Sequence, residues 1–266
     1  AYNRSEVYLN GHLLGKRPNG YISFMYDMTP YLKQKDNVLA VRIDHSRHAD
    51  SRWYTGSGIY RDVWMIETGD VHFDLWGVGW TTPEVSEKKA FLSVDAKIVN
   101  HTSANGQYIL SATLYDNDGA KVANAVKDVS KEVAGSMVSK LLMKVNRPKL
   151  WHLDSPYLYT LECELMANGK TIDKTKTAVG FRWFDFDSNK GLKMNGNNLK
   201  IKGVCLHHDA GVLGAVVPKD VWRRRLINLK EMGANAIRMS HNPQAPVVYD
   251  LCDQLGLLVM DEASDE

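Results

Sequence analysis

Polar side chains follow three successive predicted strands in the last third of the sequence. The groups are His207, His208 and Asp209 after the first strand, Arg238, Ser240, His241 and Asn242 at the second, and Asp261, Glu262, Asp265 and Glu266 at the third. Imidazole, carboxyl, amide and guanidinium groups can hydrogen-bond a polar ligand or exchange protons with it. Parallel α/β folds bind ligands at the C-terminal ends of their strands. The placement therefore predicts a ligand-binding or catalytic site at this edge.

Each of these groups also has a structural interpretation. Arg238 can pair with a carboxylate that holds the loops together, Asp261 and Glu262 can cap a following helix, and the paired histidines can be satisfied loop residues. Paired histidines suit zinc, but no H-E-x-x-H helix or cysteine cluster completes such a site. Asp261 and Glu262 are adjacent, so on an extended strand they point to opposite faces. They are therefore a poor acid and nucleophile pair.

The elements that must position these residues begin at about residue 182. Strands are predicted over residues 199–206, 234–239 and 257–261, with helices beginning at Pro218 and Pro246 between them. The helices are expected to bury one face each: Trp222, Leu226, Leu229 and Met232 in the first, and Val248, Leu251, Cys252 and Leu255 in the second. Alternating strands and helices indicate a parallel sheet. Such a sheet needs cover on both faces, so we expect the chain to be part of a longer protein.

The rest of the sequence is predicted to form two β-domains, at residues 1–69 and 70–181. In the first, Asn10-Gly11 predicts a hairpin turn, and strands are expected over residues 21–27 and 37–44. In the second, buried residues alternate with polar ones in three stretches: Leu92, Val94, Ala96 and Ile98; Leu110, Ala112 and Leu114; Tyr159, Leu161, Cys163 and Leu165. This pattern is typical of an antiparallel sandwich.

Composition excludes several classes of protein. The 266 residues carry 33 Lys and Arg against 31 Asp and Glu, a net charge of +2, which argues against a dedicated nucleic-acid binder. No apolar run approaches about 18 residues, so no membrane-spanning helix is predicted. Three cysteines without a C-x-x-C motif argue against a disulfide framework. A homo-oligomer is compatible with the sequence, which does not specify one.

Four motifs, in this order along the chain, resemble glycoside hydrolase family 2, especially the bacterial β-galactosidases. They are G-I-Y-R-D-V at residues 58–63, L-W with S-P-Y-L-Y at 150–159, G-V-C-L-H-H-D at 203–209, and N-A-I-R-M-S-H-N-P at 235–243 followed by D-E-A at 261–263. The resemblance implies the C-terminal part of a sugar-binding jelly roll at 1–69. It also implies an immunoglobulin-like β-sandwich at 70–181 and the first three strands of a (β/α)₈ TIM barrel at 182–266.

The resemblance also implies roles for individual residues. His207 and His241 would line the sugar pocket, Arg238 would support the nucleophile carboxylate, and the substrate-binding set would be His207, His208, Asp209, Arg238, His241, Asn242 and Arg52. Arg52 stands where some members carry an aspartate, which leaves Asp50 as an alternative sugar contact. Glu266 matches a magnesium ligand of some β-galactosidases, the one cofactor implied. Both catalytic glutamates of the family would lie beyond Glu266.

The resemblance implies an enzyme that hydrolyses terminal β-D-galactosyl residues with retention of configuration, and whose partner is a carbohydrate. Within the family, a β-glucuronidase or a β-mannosidase is an alternative. A non-catalytic carbohydrate-binding module built from the two β-domains is a further alternative. Residues 1–266 alone are predicted to be inactive.

Overall fold

The computed structural model describes residues 1–46, 55–102, 106–130 and 135–263. The chain divides into two compact units, one formed by Ala1–Trp64 with Ile201–Glu266 and the other by Met65–Lys200. The finer division at residues 69 and 181 stays a prediction. Within the described ranges, no helix combines the length and the apolar character needed to cross a membrane.

The N-terminal segment forms a three-stranded antiparallel sheet. Its strands are β1 (Ser5–Leu9), β2 (His12–Arg17) and β3 (Leu39–Arg42), in the order β2-β1-β3. Asn10 and Gly11 join β1 to β2 with φ of 53° and 87°. A two-residue hairpin turn of this kind needs positive φ at both positions, which Asn-Gly accepts at little cost. The predicted hairpin is confirmed.

The strand predicted over residues 21–27 is wrong. This segment contains no strand and leads to a short 3₁₀ turn at Thr29–Tyr31. The Asn19 Oδ1 atom accepts the backbone N–H groups of Tyr21 and Ile22, at 2.8 and 3.0 Å. The side chain of Asn19 therefore satisfies the first donors of the segment in place of a neighbouring strand.

The described residues of the second unit form ten strands. They are β4 (Val71–Val85), β5 (Lys89–Asn100), β6 (Tyr108–Tyr115), β7 (Lys121–Asp128), β8 (Gly135–Asn146), β9 (Tyr159–Ala167), β10 (Lys170–Val179), β11 (Phe184–Asp187), β12 (Gly191–Met194) and β13 (Asn197–Asn198). The antiparallel sheets β4-β5-β8 and β10-β9-β6-β7 share one apolar core, and β11, β12 and β13 form a separate small sheet. All the alternating residues of the three predicted stretches are buried in that core. The predicted sandwich is confirmed.

The C-terminal segment alternates strands and helices, as predicted. Its elements are β14 (Gly203–Leu206), a 3₁₀ turn (Gly211–Leu213), α1 (Lys219–Glu231), β15 (Ala236–Met239), α2 (Pro246–Leu255) and β16 (Leu258–Met260). The strands are parallel, in the order β14-β15-β16. Alternation of short apolar strands with amphipathic helices favours this arrangement, because it lets each helix cover the sheet.

The two helices agree with the predictions except at one residue. α1 buries Trp222 and Leu226, and α2 buries the predicted Val248, Leu251 and Cys252 and ends at Gly256 with φ of 74°. Met232 was predicted on the buried face of α1 but is 68% exposed. The reason is that α1 ends at Glu231, so Met232 lies past the last helical turn.

The parallel sheet has two different faces. Ile237 lies in the apolar core with α1 and α2, and its strand neighbours Val204 and Val259 pack against that core. The next row across the strands is Cys205, Arg238 and Met260 in register, and side chains in adjacent rows point to opposite faces. Arg238 therefore projects from the face opposite the helices.

Candidate active site

A three-residue polar cluster lies at the C-terminal edge of the parallel sheet. The Arg238 guanidinium forms an ion pair through Nε with Glu262 Oε1, and the other carboxylate oxygen, Oε2, lies 3.1 Å from His241 Nδ1. Arg238 Nη2 and His241 Nδ1 are 3.4 Å apart. Each residue comes from a different part of the sheet edge: Arg238 from β15, His241 from the loop after it, and Glu262 from the segment after β16.

Cys205 of β14 extends the cluster across the sheet. The Arg238 Nη1 atom lies 3.7 Å from the Cys205 Sγ atom. The neighbouring Ser240 and Arg238 side chains hold the pKa of the Cys205 thiol below its usual range. The same sulfur and the Glu262 carboxylate raise the pKa of Arg238, which stays a cation. The Arg238 guanidinium therefore contacts the Cys205 sulfur on one side of β15 and the Glu262 carboxylate on the other.

His207 and His241 stand close together at this edge. Their ring centroids are 5.6 Å apart, and both side chains are half-buried. The structure therefore brings together the two histidines that the sequence singles out. Each imidazole carries one donor and one acceptor nitrogen when neutral. Two such rings at this spacing can hydrogen-bond neighbouring hydroxyl groups of one polyhydroxylated ligand.

Asp261 and Glu262 do not share a site. The Tyr249 hydroxyl of α2 donates to Asp261 Oδ1 at 2.8 Å, whereas both oxygens of Glu262 face Arg238 and His241. Burial, followed by the hydrogen bond to Asp261, raises the pKa of Tyr249 to about 12. The two adjacent carboxylates therefore have separate partners. Together they do not form an acid and nucleophile pair, as the sequence predicts.

Three other predicted site residues occupy less open positions. His208 is 4% exposed and its ring packs against Tyr21 and Tyr60, with centroids 5.4 and 6.0 Å away. Asn242 is also buried, and Asp209 is half-buried with its carbonyl accepting a hydrogen bond from Arg225. Sugar contacts by these three residues stay predictions.

Glu262 was predicted to lie at this edge, but not as the partner of both Arg238 and His241; its position directly after β16 was the available signal. One residue that contacts the site was missed. Arg61 donates from Nη2 to the carbonyl of Pro243 at 2.8 Å, in the loop that carries His241. Its motif at residues 58–63 was noticed, but the local pattern gives no sign of a partner 182 residues away.

Several predicted residues fall outside the described ranges. They are the alternative sugar contact Asp50, the pocket residue Arg52, the loop residue Asp265 and the implied magnesium ligand Glu266. Among the described residues, no group of three or more His, Cys, Asp or Glu could hold a metal ion. The magnesium site therefore stays a prediction.

Comparison with known proteins gives two family matches. The model of glycosyl hydrolases family 2 matches residues 78–182, and that of the family 2 TIM barrel domain matches residues 188–266. The chain is 48% identical over 266 residues to beta-galactosidase BoGH2A of Bacteroides ovatus, covering 100% of this chain and 31% of that protein. The chain thus spans about a third of the length of this relative.

Solved structures show the same architecture. A beta-glycosidase from Bacteroides vulgatus superposes with a TM-score of 0.92 at 41% identity, over 98% of this chain and 33% of that one. A beta-glucuronidase from Bacteroides uniformis superposes with a TM-score of 0.89 at 32% identity, over 98% of this chain and 32% of that one. The fold, the motifs and both family matches agree: the chain belongs to glycosyl hydrolases family 2, with an immunoglobulin-like sandwich and the start of the TIM barrel.

Proposed function

We propose that this chain is part of a retaining exo-β-glycosidase that hydrolyses terminal β-D-galactosyl residues. The substrate is a carbohydrate, and the sugar binds at the C-terminal edge of β14, β15 and β16. The coarser part of this proposal, a family 2 β-glycosidase, is supported by the matches to both family models. The choice of galactose is supported by one observation, the 48% identity to a beta-galactosidase along the whole chain.

The site residues have distinct roles in this proposal. His207 and His241 hydrogen-bond sugar hydroxyls, and these bonds strengthen as the ring approaches the oxocarbenium-like transition state. Glu262 fixes the orientation of His241 and Arg238 through its two oxygens. Arg238 keeps a positive charge beside the reacting centre, where it stabilises the ionised nucleophile carboxylate.

The catalytic carboxyl pair belongs outside residues 1–266 in this proposal. A retaining enzyme needs two carboxyl groups about 5–5.5 Å apart, one as nucleophile and one as acid and base. Glu262 is engaged by Arg238 and His241, and Asp261 by Tyr249, so these carboxylates serve as supports. We therefore expect residues 1–266 alone to give no turnover.

A β-glucuronidase is the second candidate. It is favoured by the superposition on a Bacteroides uniformis beta-glucuronidase, whose sequence is 32% identical. A glucuronide differs from a galactoside by a carboxylate, which needs a cationic partner to be bound away from water. Substrate preference therefore separates the two candidates directly.

The test uses the complete polypeptide that contains this chain, with nitrophenyl β-galactoside, β-glucuronide and β-mannoside as substrates. We expect kcat/KM to be highest for the β-galactoside, with the β-anomer of galactose as the first product by proton NMR. Preference for the glucuronide or the mannoside would reject galactose but keep the family chemistry. An inverted product, or glycan binding without hydrolysis of any β-glycoside, would reject the retaining glycosidase.

A further inference from the structure

Arg61 is a half-buried arginine that joins two distant parts of the first unit. Its Nη1 donates to the carbonyl of Tyr21 at 2.7 Å, and its Nη2 donates to the carbonyl of Pro243 at 2.8 Å. The guanidinium lies over the ring of Tyr60, 5.0 Å from the centroid. The Tyr60 hydroxyl itself donates to the carbonyl of Gly20 at 2.8 Å. The N-terminal segment thus holds the guanidinium on two sides.

The charge of Arg61 is directed at backbone carbonyls. Both of its hydrogen bonds go to carbonyl oxygens, and burial lowers the pKa of the guanidinium. Burying a charge is costly unless strong hydrogen bonds compensate it. The two bonds come from two different nitrogens of the rigid guanidinium plane, whereas a lysine carries all its donors on one nitrogen and cannot keep both contacts at the same geometry.

The carbonyl of Pro243 belongs to the loop of residues 240–244, which carries His241. This loop is anchored at both ends as well. The Ser240 N–H donates to the Leu206 carbonyl at 3.1 Å, and the Gln244 N–H donates to the Tyr249 hydroxyl at 3.0 Å. Arg61 supplies the contact between these two ends, two residues after His241.

We propose that Arg61 is a positioning residue for the sugar site: from the jelly-roll segment, it fixes the loop that carries His241. This inference rests on the proposed function for its effect on catalysis. His241 must meet both Glu262 and a sugar hydroxyl, so a small displacement of its loop breaks the alignment. A misplacement of 1 Å near a reacting centre can cost about 100-fold in rate.

The test compares Arg61→Lys with wild type in the complete polypeptide, by hydrogen exchange and by kinetics. We expect peptides that span residues 240–244 to exchange at least about 10-fold faster in the variant, while peptides of β5 stay unchanged. We expect kcat for the aryl β-galactoside to fall by about 10–100-fold, with a smaller change in KM. If the role of Arg61 were purely structural, Arg61→Lys would lower the melting temperature but would neither speed up exchange at residues 240–244 nor lower kcat.

Two further variants complete the experiment. Arg182→Lys is the matched control, because Arg182 is also half-buried and stacks on aromatic rings, those of Trp151 and Phe184, in the second unit. It should change neither the exchange of residues 240–244 nor kcat. Tyr249→Phe removes the hydroxyl that anchors Gln244, so it is the positive control that shows loosening of this loop by hydrogen exchange. Arg61→Gln takes the place of Arg61→Lys if that variant fails to fold.

The outcomes separate the inference from the proposed function. Unchanged exchange of residues 240–244 in Arg61→Lys, with faster exchange in Tyr249→Phe, would overturn the positioning role, whatever the activity. Faster exchange with an unchanged kcat would overturn its link to catalysis. If wild type hydrolyses no β-glycoside, the proposed function fails, and the hydrogen-exchange result still decides whether Arg61 fixes the loop.

Discussion

The contact between Arg238 and Glu262 gives a quantitative prediction. The substitution Glu262→Gln keeps the size and shape of the side chain but removes the charge that pairs with Arg238. It also replaces one carboxylate oxygen by an amide nitrogen, so a single side chain can no longer accept from both Arg238 and His241. Arg238 then keeps its charge without its carboxylate partner.

The size of the effect follows from burial. The Glu262 side chain is 15% exposed and that of Arg238 is 38% exposed. Exposed ion pairs are worth about 0–1 kcal/mol, whereas breaking a fully buried pair costs about 3–5 kcal/mol. A pair of intermediate burial with an additional histidine contact should cost about 2 kcal/mol. For a chain of this size, that corresponds to a fall in melting temperature on the order of 4–8 °C.

The assay is thermal unfolding near neutral pH, with Glu84→Gln as the matched control. Glu84 pairs with Lys89 at 2.7 Å but is 52% exposed, so its substitution should cost less than about 1 kcal/mol. In addition, the double variant Arg238→Gln/Glu262→Gln should lose at least about 0.5 kcal/mol less than the sum of the single variants. Equal losses for Glu262→Gln and Glu84→Gln, or additive losses in the double variant, would refute the reasoning.

Three further predictions follow from burial and charge. Leu226→Ala should cost about 2–5 kcal/mol in unfolding free energy by urea titration, because Leu226 is fully buried, whereas Met232→Ala should be nearly neutral. Among the cysteines of residues 1–266, Cys205 should react first with a disulfide reagent, because it is exposed and its pKa is lowered; Cys205→Ser should remove the fast phase. Hydrogen bonds, the largest from Lys16, lower the pKa of Glu6 to about 2 from 4.5. Its stabilisation is therefore full above about pH 4.5 and is lost toward pH 2, so the difference in melting temperature between wild type and Glu6→Gln should shrink over that range.

Local patterns predicted much of the fold. The hairpin turn at Asn10-Gly11 could be predicted from the conformational preferences of two residues. The alternating burial along β5 could be predicted because side chains on a strand point to opposite faces in turn. The strand predicted at residues 21–27 failed because the Asn19 side chain satisfies the first backbone donors of that segment. The predicted burial of Met232 was wrong because periodicity does not show where a helix ends.

The position of the polar cluster could be predicted from strand order, but the contacts within it could not. Strand order places Arg238 and His241 at one edge, because parallel strands end on the same side of a sheet. The pairing with Glu262 depends on side-chain geometry between two loops, which a linear pattern does not contain. The contact from Arg61 to Pro243 depends on how segments far apart in sequence pack together. Residues that strand order places at the edge were therefore easier to predict than the contacts that hold them in place.

We propose that the edge carrying His207 and His241 is the sugar site of a β-galactosidase. The most direct measurement is kcat/KM of His241→Ala for an aryl β-galactoside, in the complete polypeptide. We expect a loss of at least about 100-fold, because in the proposed function this histidine hydrogen-bonds a sugar hydroxyl, and such bonds strengthen in the transition state. A value within twofold of wild type, in a variant with an unchanged melting temperature, would contradict the account.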